Sequence, residues 1–427
     1  MSDKYEIIIV AEDYPGYGGF GTYAYNIFKI LSNNYQVALV YLLKEEVYAK
    51  FFINFKINNI YHYYLSNFDD IFYHIDDHQK FNKYDDIWKK FLKWLQENHI
   101  NRTRILISIS PKTLSLANYS IKYLRHIYRM GNIHGKKMFS NIWEYNDMSN
   151  LQNITIEYYP INNILLNNPN IEILPNSPLT EHFANILKEK LGLNNKIHHH
   201  IILTPYELSH QKNNVPKKYD IIYVSSDLSR KIKNFNLAFY IFKHFPNNTK
   251  ILVGRGSTKY VSKFSNVIHY EYLENTQLVD LISKCRILIL TSQLDAGPNV
   301  ILEAIISKTI PIMYYMTGFV PYFNDQYICK TFELNEWTSK IENILKNYNN
   351  INFNKEFSKI IDRILNDKYK LFHLLDEYLC ESYLLDYLEN NNMAKRTIFT
   401  FDRIKKIKLI DNQILYNWYF RSLKENV

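Results

Sequence analysis

The chain has 427 residues, with 51 Lys and Arg against 42 Asp and Glu, a formal charge of +9. That length fits two domains of about 150–200 residues each plus an appendage, and 47% hydrophobic with 22% charged residues excludes a largely disordered chain. Only 11 Gly, 12 Pro and 3 Cys exclude collagen-like and disulfide-scaffold architectures, and Cys285, Cys329 and Cys380 are too widely spaced for a zinc or redox pair.

The opening segment reads strand, turn, helix. Glu6–Val10 is a short apolar run, Pro15 to Thr22 is Gly-rich, and Ala24, Ile27, Phe28, Ile30 and Leu31 fall at helical spacing. The N-terminal apolar run is too short for a signal peptide, and no stretch approaches the roughly 18 apolar residues of a membrane span. A cytoplasmic protein with reduced thiols is expected. Gln36–Leu42 is a second strand; Ile105–Ser108, Met138–Trp143 and Ile171–Leu174 are further candidates, and Asp85–Glu97 is a helix. After the polar interval His210–Lys218 the rhythm restarts with strands at Tyr219–Val224, Lys250–Val253, Val267–Tyr270, Ile287–Leu290 and Ile310–Tyr314. Strands alternating with helices imply parallel sheets covered on both faces. The expected organisation is an α/β acceptor domain over 1–195, a linker over 196–218, a second α/β domain over 219–345, and a helical tail over 346–427 that packs back on the first domain.

Two segments carry chemistry. The turn Gly18-Gly19-Phe20-Gly21 joins a first strand to a first helix, where absent Cβ atoms let backbone N–H groups approach a phosphate or an acceptor. It is not the GxGxxG dinucleotide fingerprint, and no acidic residue ends the second strand to bind a ribose. The second segment runs strand Arg286–Ser292, turn Asp295-Ala296-Gly297-Pro298-Asn299, helix Val300–Ile306 and strand Thr309–Met313. Seven residues separate Asp295 from Glu303, which puts one carboxylate in the loop and the other about one turn into the helix. Both can face the carboxyl edge of the sheet, where open α/β folds bind ligands, beside helix N-terminal N–H groups suited to a diphosphate.

On these residues the chain resembles the retaining, nucleotide-sugar-dependent glycosyltransferases of group 1, with two Rossmann-like domains facing a cleft (the GT-B fold) and an acidic-x7-Glu motif. The resemblance runs from Tyr5 to about Phe323 through GGFG, ILPNS at Ile173–Ser177, KNFNLAF at Lys233–Phe239 and LDAGPNVILEAIISKTIPI at Leu294–Ile312. It implies that Glu303 binds the ribose hydroxyls, that Asp295 and the backbone of Ala296, Gly297, Pro298 and Asn299 hold the donor sugar, and that Gly18, Gly19 and Gly21 close over the diphosphate. Arg230 and Lys233 best match the family's diphosphate-binding cations. Such cations stabilise the charge gathered by a departing nucleoside diphosphate, so neither metal nor cofactor is expected. The chain departs from the family at Asp295, where Glu is usual, at Lys308, where Gly ends the helix, and at Phe319 and Tyr322, where Gly and Glu are frequent.

In the first domain Glu144 is the candidate for binding the acceptor or accepting its proton, with His134 second. The run His198-His199-His200 lacks zinc-finger ligand spacing and is expected to alternate along a strand or linker. Between Arg102 and Lys137 the chain has eight basic residues and no acidic one. Lys122, Arg125 and Arg129 would share one face of a helix spanning Ser115–Arg129, offering a peripheral contact with an anionic membrane or a phosphorylated lipid acceptor; Arg403–Lys408 is a second basic cluster. The expected partners are a nucleoside-diphosphate sugar and a glycan, lipid-linked or protein acceptor, with no specific nucleic acid. An epimerase or phosphorylase on the same fold, and a catalytically silent nucleotide-sugar or glycan-binding protein, are the alternatives.

Overall fold

The computed structural model describes residues 5–12, 19–43, 58–64, 81–98, 100, 104–109, 111–114, 125–130, 165–204 and 215–389. The first half contains β1 (Ile7–Glu12), α1 (Gly19–Leu31), β2 (Val37–Leu43), β3 (Ile60–Tyr64), α2 (Phe81–Glu97), β4 (Ile105–Ser108), α3 (Pro111–Leu114), β5 (Arg125–Met130), β6 (Ile171–Pro175) and α4 (Pro178–Leu191). The second contains β7 (Tyr219–Asp227), α5 (Phe235–His244), β8 (Lys250–Arg255), β9 (Val267–Tyr270), α6 (Asn275–Ser283), β10 (Cys285–Leu290), α7 (Asn299–Ile306), β11 (Ile310–Tyr314), β12 (Ile328–Cys329), α8 (Leu334–Asn347), α9 (Phe353–Glu356) and α10 (Ser358–Glu389).

The sheets are two copies of one topology. The first is ordered β3-β2-β1-β4-β5-β6 and the second β9-β8-β7-β10-β11-β12, with every pair parallel. Each is wound outward from its first strand, so each has a switch point, between β1 and β4 and between β7 and β10, where the flanking loops diverge and leave a crevice at the carboxyl edge. The strands are apolar because both faces are covered. Ile8, Val10, Ala38, Val40 and Leu42 pack with Phe91 and Leu95 of α2, while α1 buries Ala24, Ile27, Phe28 and Leu31 beside β1 and β2. Each buried Val, Leu, Ile or Phe among them contributes about 1.5–3 kcal/mol. In the second half Trp337, Ile341 and Ile344 of α8 and Phe357, Ile360 and Ile364 beyond it join the core around β7, β10 and β11.

The chain divides by contacts into Met1–Lys368 and Tyr369–Val427, with α10 running across the division. The tail is helical through Glu389, and its opening residues belong to the core of the first unit. Cys285 and Cys329 are buried free thiols and Cys380 is a half-buried one.

One expectation is overturned. Arg125–Met130 is a strand, not the end of a basic amphipathic helix. Arg129, only 1% exposed, donates to the carbonyls of Leu174 (3.3 Å), Pro175 (2.6 Å) and Ile201 and to the Tyr23 hydroxyl, so its charge is solvated by peptide groups rather than by water or a membrane. Arg125 lies 3.4 Å from Glu172 of β6, a carboxylate that also meets Lys196 at 3.6 Å and His198 at 2.5 Å. The three histidines do alternate along an extended linker, with His198 and His200 mostly buried and His199 exposed, although His199 and His200 both reach Glu181 of α4. Met138–Trp143, Ser115–Leu124, Lys136, Lys137 and Arg403–Lys408 lie outside the described residues. Among the described residues no helix is long and apolar enough to cross a membrane.

At the amino edge of the second sheet, Lys217 donates to Ser283 O (2.9 Å), Ser307 O (3.1 Å) and Thr309 Oγ1 (3.1 Å), joining the carboxyl ends of α6 and α7. Beside it Lys308 takes the left-handed conformation (φ 53°) that glycine adopts more cheaply.

Replacing Arg129 by Ala removes the donor shared by three carbonyls and a tyrosine hydroxyl, of which Pro175 O keeps a second donor in Ile201 N at 3.1 Å. The expected cost is on the order of 3 kcal/mol, read from the urea midpoint, and an unchanged midpoint would contradict the role given to this side chain.

Candidate functional site

The site builds from the carboxyl ends of β7 and β10, neighbours at the second switch point. Past β7 the chain makes a single 3-10 turn, Lys231–Lys233, and enters α5 through Asn234 in the left-handed conformation (φ 48°). That turn is pinned from both strands. Tyr223 of β7 donates its hydroxyl to Lys233 O at 3.1 Å; Thr291, just beyond β10, donates to Lys233 O and Asn234 O at 3.0 Å each; and Gln293 N donates to Ile232 O at 2.8 Å. Burial pushes the Tyr223 hydroxyl well above the usual tyrosine range, so it remains a donor.

With its backbone fixed, Lys233 reaches across the switch point and places Nζ 2.6 Å from Asp295 Oδ2. Both side chains are mostly buried, at 21% and 15% exposure, which strengthens the pair relative to a surface contact. Asp295 is held in turn by the loop after β11: Asp295 N donates to Met316 O (3.2 Å) and Gly318 N donates to Asp295 O (2.8 Å). Ala296, Gly297 and Pro298 follow, and α7 starts at Asn299 with Pro298 as its N-cap. Glu303 sits one turn into α7 at 5% exposure, and burial raises its carboxyl pKa to about 7.

Arg230 is exposed, and its charge lies near Asp227 rather than with the Lys233–Asp295 pair. Gly19 and Gly21 form the first turn of α1 instead of a separate turn, and Gly21 O accepts from Tyr41 of β2 at 3.0 Å. Gly18, Glu144 and His134 lie outside the described residues. Sequence reasoning missed Thr291 and Tyr223, which position Lys233, although a polar residue ending a buried apolar strand such as β10 is itself a signal.

Two other places offer space or convergent polar groups. A cavity of about 200 Å³ between Lys217, Ser307, Lys308 and Tyr348 lies at the amino edge, ringed by helix carboxyl ends whose dipoles disfavour an anion. Glu181, His199 and His200 offer ligand atoms within 4.8 Å of one another. There, however, the Arg363 guanidinium approaches His199 Nε2 at 3.3 Å and donates to His200 O at 2.7 Å, and Tyr322 bonds His200 Nε2. A cation already serves this cluster, and burial lowers the His200 pKa to about 4.

Residues 205–362 match the family model of the glycosyl transferases group 1. The matched span contains Arg230, Lys233, Asp295 and Glu303. No curated protein matches the chain in sequence. Among solved structures, Anabaena HepE in complex with UDP-glucose aligns at TM-score 0.59 and 13% identity, over 88% of this chain and 100% of that one. A glycosyltransferase from Rickettsia africae aligns at 0.55 and 15% identity (88% and 99%), and an α,α-trehalose 6-phosphate synthase from Burkholderia multivorans at 0.58 and 9% identity (90% and 100%). The fold is GT-B, two doubly wound Rossmann-like halves.

Glu303 yields a stability prediction with a definite sign. Its folded pKa of about 7 lies above the 4.5 of a free glutamate, so the folded state holds the proton through this window and stability falls as pH rises from 4.5 through 7. The total loss is up to about 3 kcal/mol. Comparing melts of the wild type and Glu303→Gln across this range should show the variant lacking that part of the slope.

Proposed function

We propose that this protein is a glycosyltransferase that moves a sugar, of the hexosyl class, from a nucleoside-diphosphate donor to an acceptor hydroxyl, with retention at the anomeric carbon and without a metal. The observation that carries this reading is the Lys233–Asp295 pair across the β7/β10 switch point, within the span that matches the family model. UDP-glucose bound by Anabaena HepE supports a nucleotide-sugar as the ligand class.

The chemistry follows from the groups present. The acceptor oxygen forms the new bond to the anomeric carbon as the bond to the diphosphate oxygen breaks, and the acceptor proton passes to that departing oxygen. Negative charge collects on the diphosphate, where Lys233, the N–H groups opening α7, and Arg230 once swung inward would stabilise it. Asp295 gives up part of its hold on Lys233 and orients the sugar. Its shorter reach than the family's usual Glu suits the 2.6 Å contact to Lys233. Glu303 would accept hydrogen bonds from the ribose hydroxyls, which favours its ionised form. The acceptor, whether glycan, lipid-linked or protein, would meet the first half, with Glu144 as the candidate for binding it and Gly18, Gly19 and Gly21 beside the diphosphate.

Lys233→Ala should lower turnover by about 3–4 kcal/mol in barrier terms, and Glu303→Ala should abolish donor binding; full activity in either would sink the assignment. A thermal-shift screen with UDP-, GDP-, ADP- and dTDP-sugars identifies the donor through the native-state stabilisation that binding confers. Donor affinity measured by calorimetry should weaken about tenfold per pH unit below pH 7, where the Glu303 carboxyl is protonated, and level off above it. Glu303→Gln should show no such dependence.

A further inference from the structure

The first turn of α4 touches the loop that carries Asp295. Ser177, fully buried, is the N-cap: its Oγ accepts from Thr180 N at 3.2 Å and donates to Ala296 O. Asn176 is anchored by its own N–H to Met130 O of β5 (3.0 Å), while its Oδ1 accepts from Thr180 Oγ1 at 3.0 Å. This fixes the carboxamide so that Nδ2 packs on Gly297, where an added Cβ would lie 2.4 Å from it. At Gly318, hydrogen-bonded to Asp295 O, an added Cβ would lie 1.8 Å from Ala296 O and 2.6 Å from Ser177 Oγ. One turn further along the same helix face, Glu181 bonds His200, and His200 bonds Tyr322 in the loop beyond Gly318.

These contacts join the first half to Ala296 and Gly297, which follow Asp295, and to the Gly318–Tyr322 loop that bonds it, and two of them exist only because positions 297 and 318 carry no side chain. We propose that Asn176 and Ser177 are positioning residues: seated on Ala296 and Gly297, they hold the loop in the geometry that sets Asp295 against Lys233. The proposal rests on the reading of Asp295–Asn299 as the donor loop. Donor contacts come mainly from the second half, whereas the contact from α4 forms only when the halves are together. Loss of the contact therefore acts on turnover more than on donor affinity.

The test pairs steric block with relief. Gly297→Ala, at a position whose φ lies outside the glycine-favouring region, should push the halves apart and raise the radius of gyration by X-ray scattering. It should also lower kcat at least about tenfold. The double variant Gly297→Ala with Asn176→Ala removes the opposing carboxamide and should restore the radius of gyration, while kcat stays below wild type because Asn176 no longer seats the loop. Ser177→Ala should lower kcat while leaving donor Kd within about threefold, which a merely destabilising substitution would not do. Failure of Asn176→Ala to restore the radius of gyration of Gly297→Ala, or an unchanged radius of gyration in Gly297→Ala itself, would overturn the proposal. Scattering does not depend on catalysis: a wild type without transferase activity defeats the functional reading, while the radius of gyration still decides whether α4 holds the loop.

Discussion

Lys233 and Asp295 stand 62 residues apart in the chain and meet because β7 and β10 are neighbours in a sheet wound outward from between them. The rest of the site depends on that adjacency. A parallel sheet buried on both faces sends every crossover through a covering helix, so the segments leaving β7 and β10 diverge and leave a crevice. Tyr223 and Thr291 then fix the depth at which the lysine enters it, by occupying one carbonyl from two directions. The ammonium is delivered by a backbone with little freedom of its own, and such preorganisation lets a charge stabilise a developing anion without reorganisation at the moment of reaction.

Several of the described cations are spent on holding the fold together. Arg129 is ringed by peptide oxygens, Arg125 faces Glu172, Arg286 faces Asp220 at 2.9 Å, and Lys217 joins two helix ends. A basic isoelectric point in this molecule is thus a poor guide to a nucleic-acid or membrane surface. Lys233, the cation at the candidate site, is distinguished by its position at a switch point rather than by charge density along the sequence.

Much of the fold was legible because buried parallel strands are short apolar runs: β1, β2, β4, β6, β7, β8, β9, β10 and β11 all lie where apolar runs lie. β3 is an unanticipated strand whose Ile-Tyr-His-Tyr-Tyr composition carries the aromatic bias of strands. β5 carries two arginines at a spacing that also suits a helix face, which hides a strand buried on both faces; their charges are satisfied by carbonyls and a carboxylate distant in sequence. Asp295 and Glu303 were legible from spacing. That Lys233 is the partner of Asp295 while Arg230 points elsewhere depends on the 3-10 turn, and local pattern does not encode its direction. The contacts of Ser177 were hidden too, although the Ser-Pro-x-Thr start of α4, now seen as a capping box, announced a rigid helix end there.

The amino edge of the second sheet has a different logic. Lys217 holds the ends of the helices that precede β10 and β11, with one ammonium shared among three oxygens and its pKa drawn down to about 8 by burial. A single cation there couples two βα units that would otherwise be independent modules. Exchange of one such unit between related proteins therefore has to carry this lysine, or a substitute for it, along with the loop at the opposite edge.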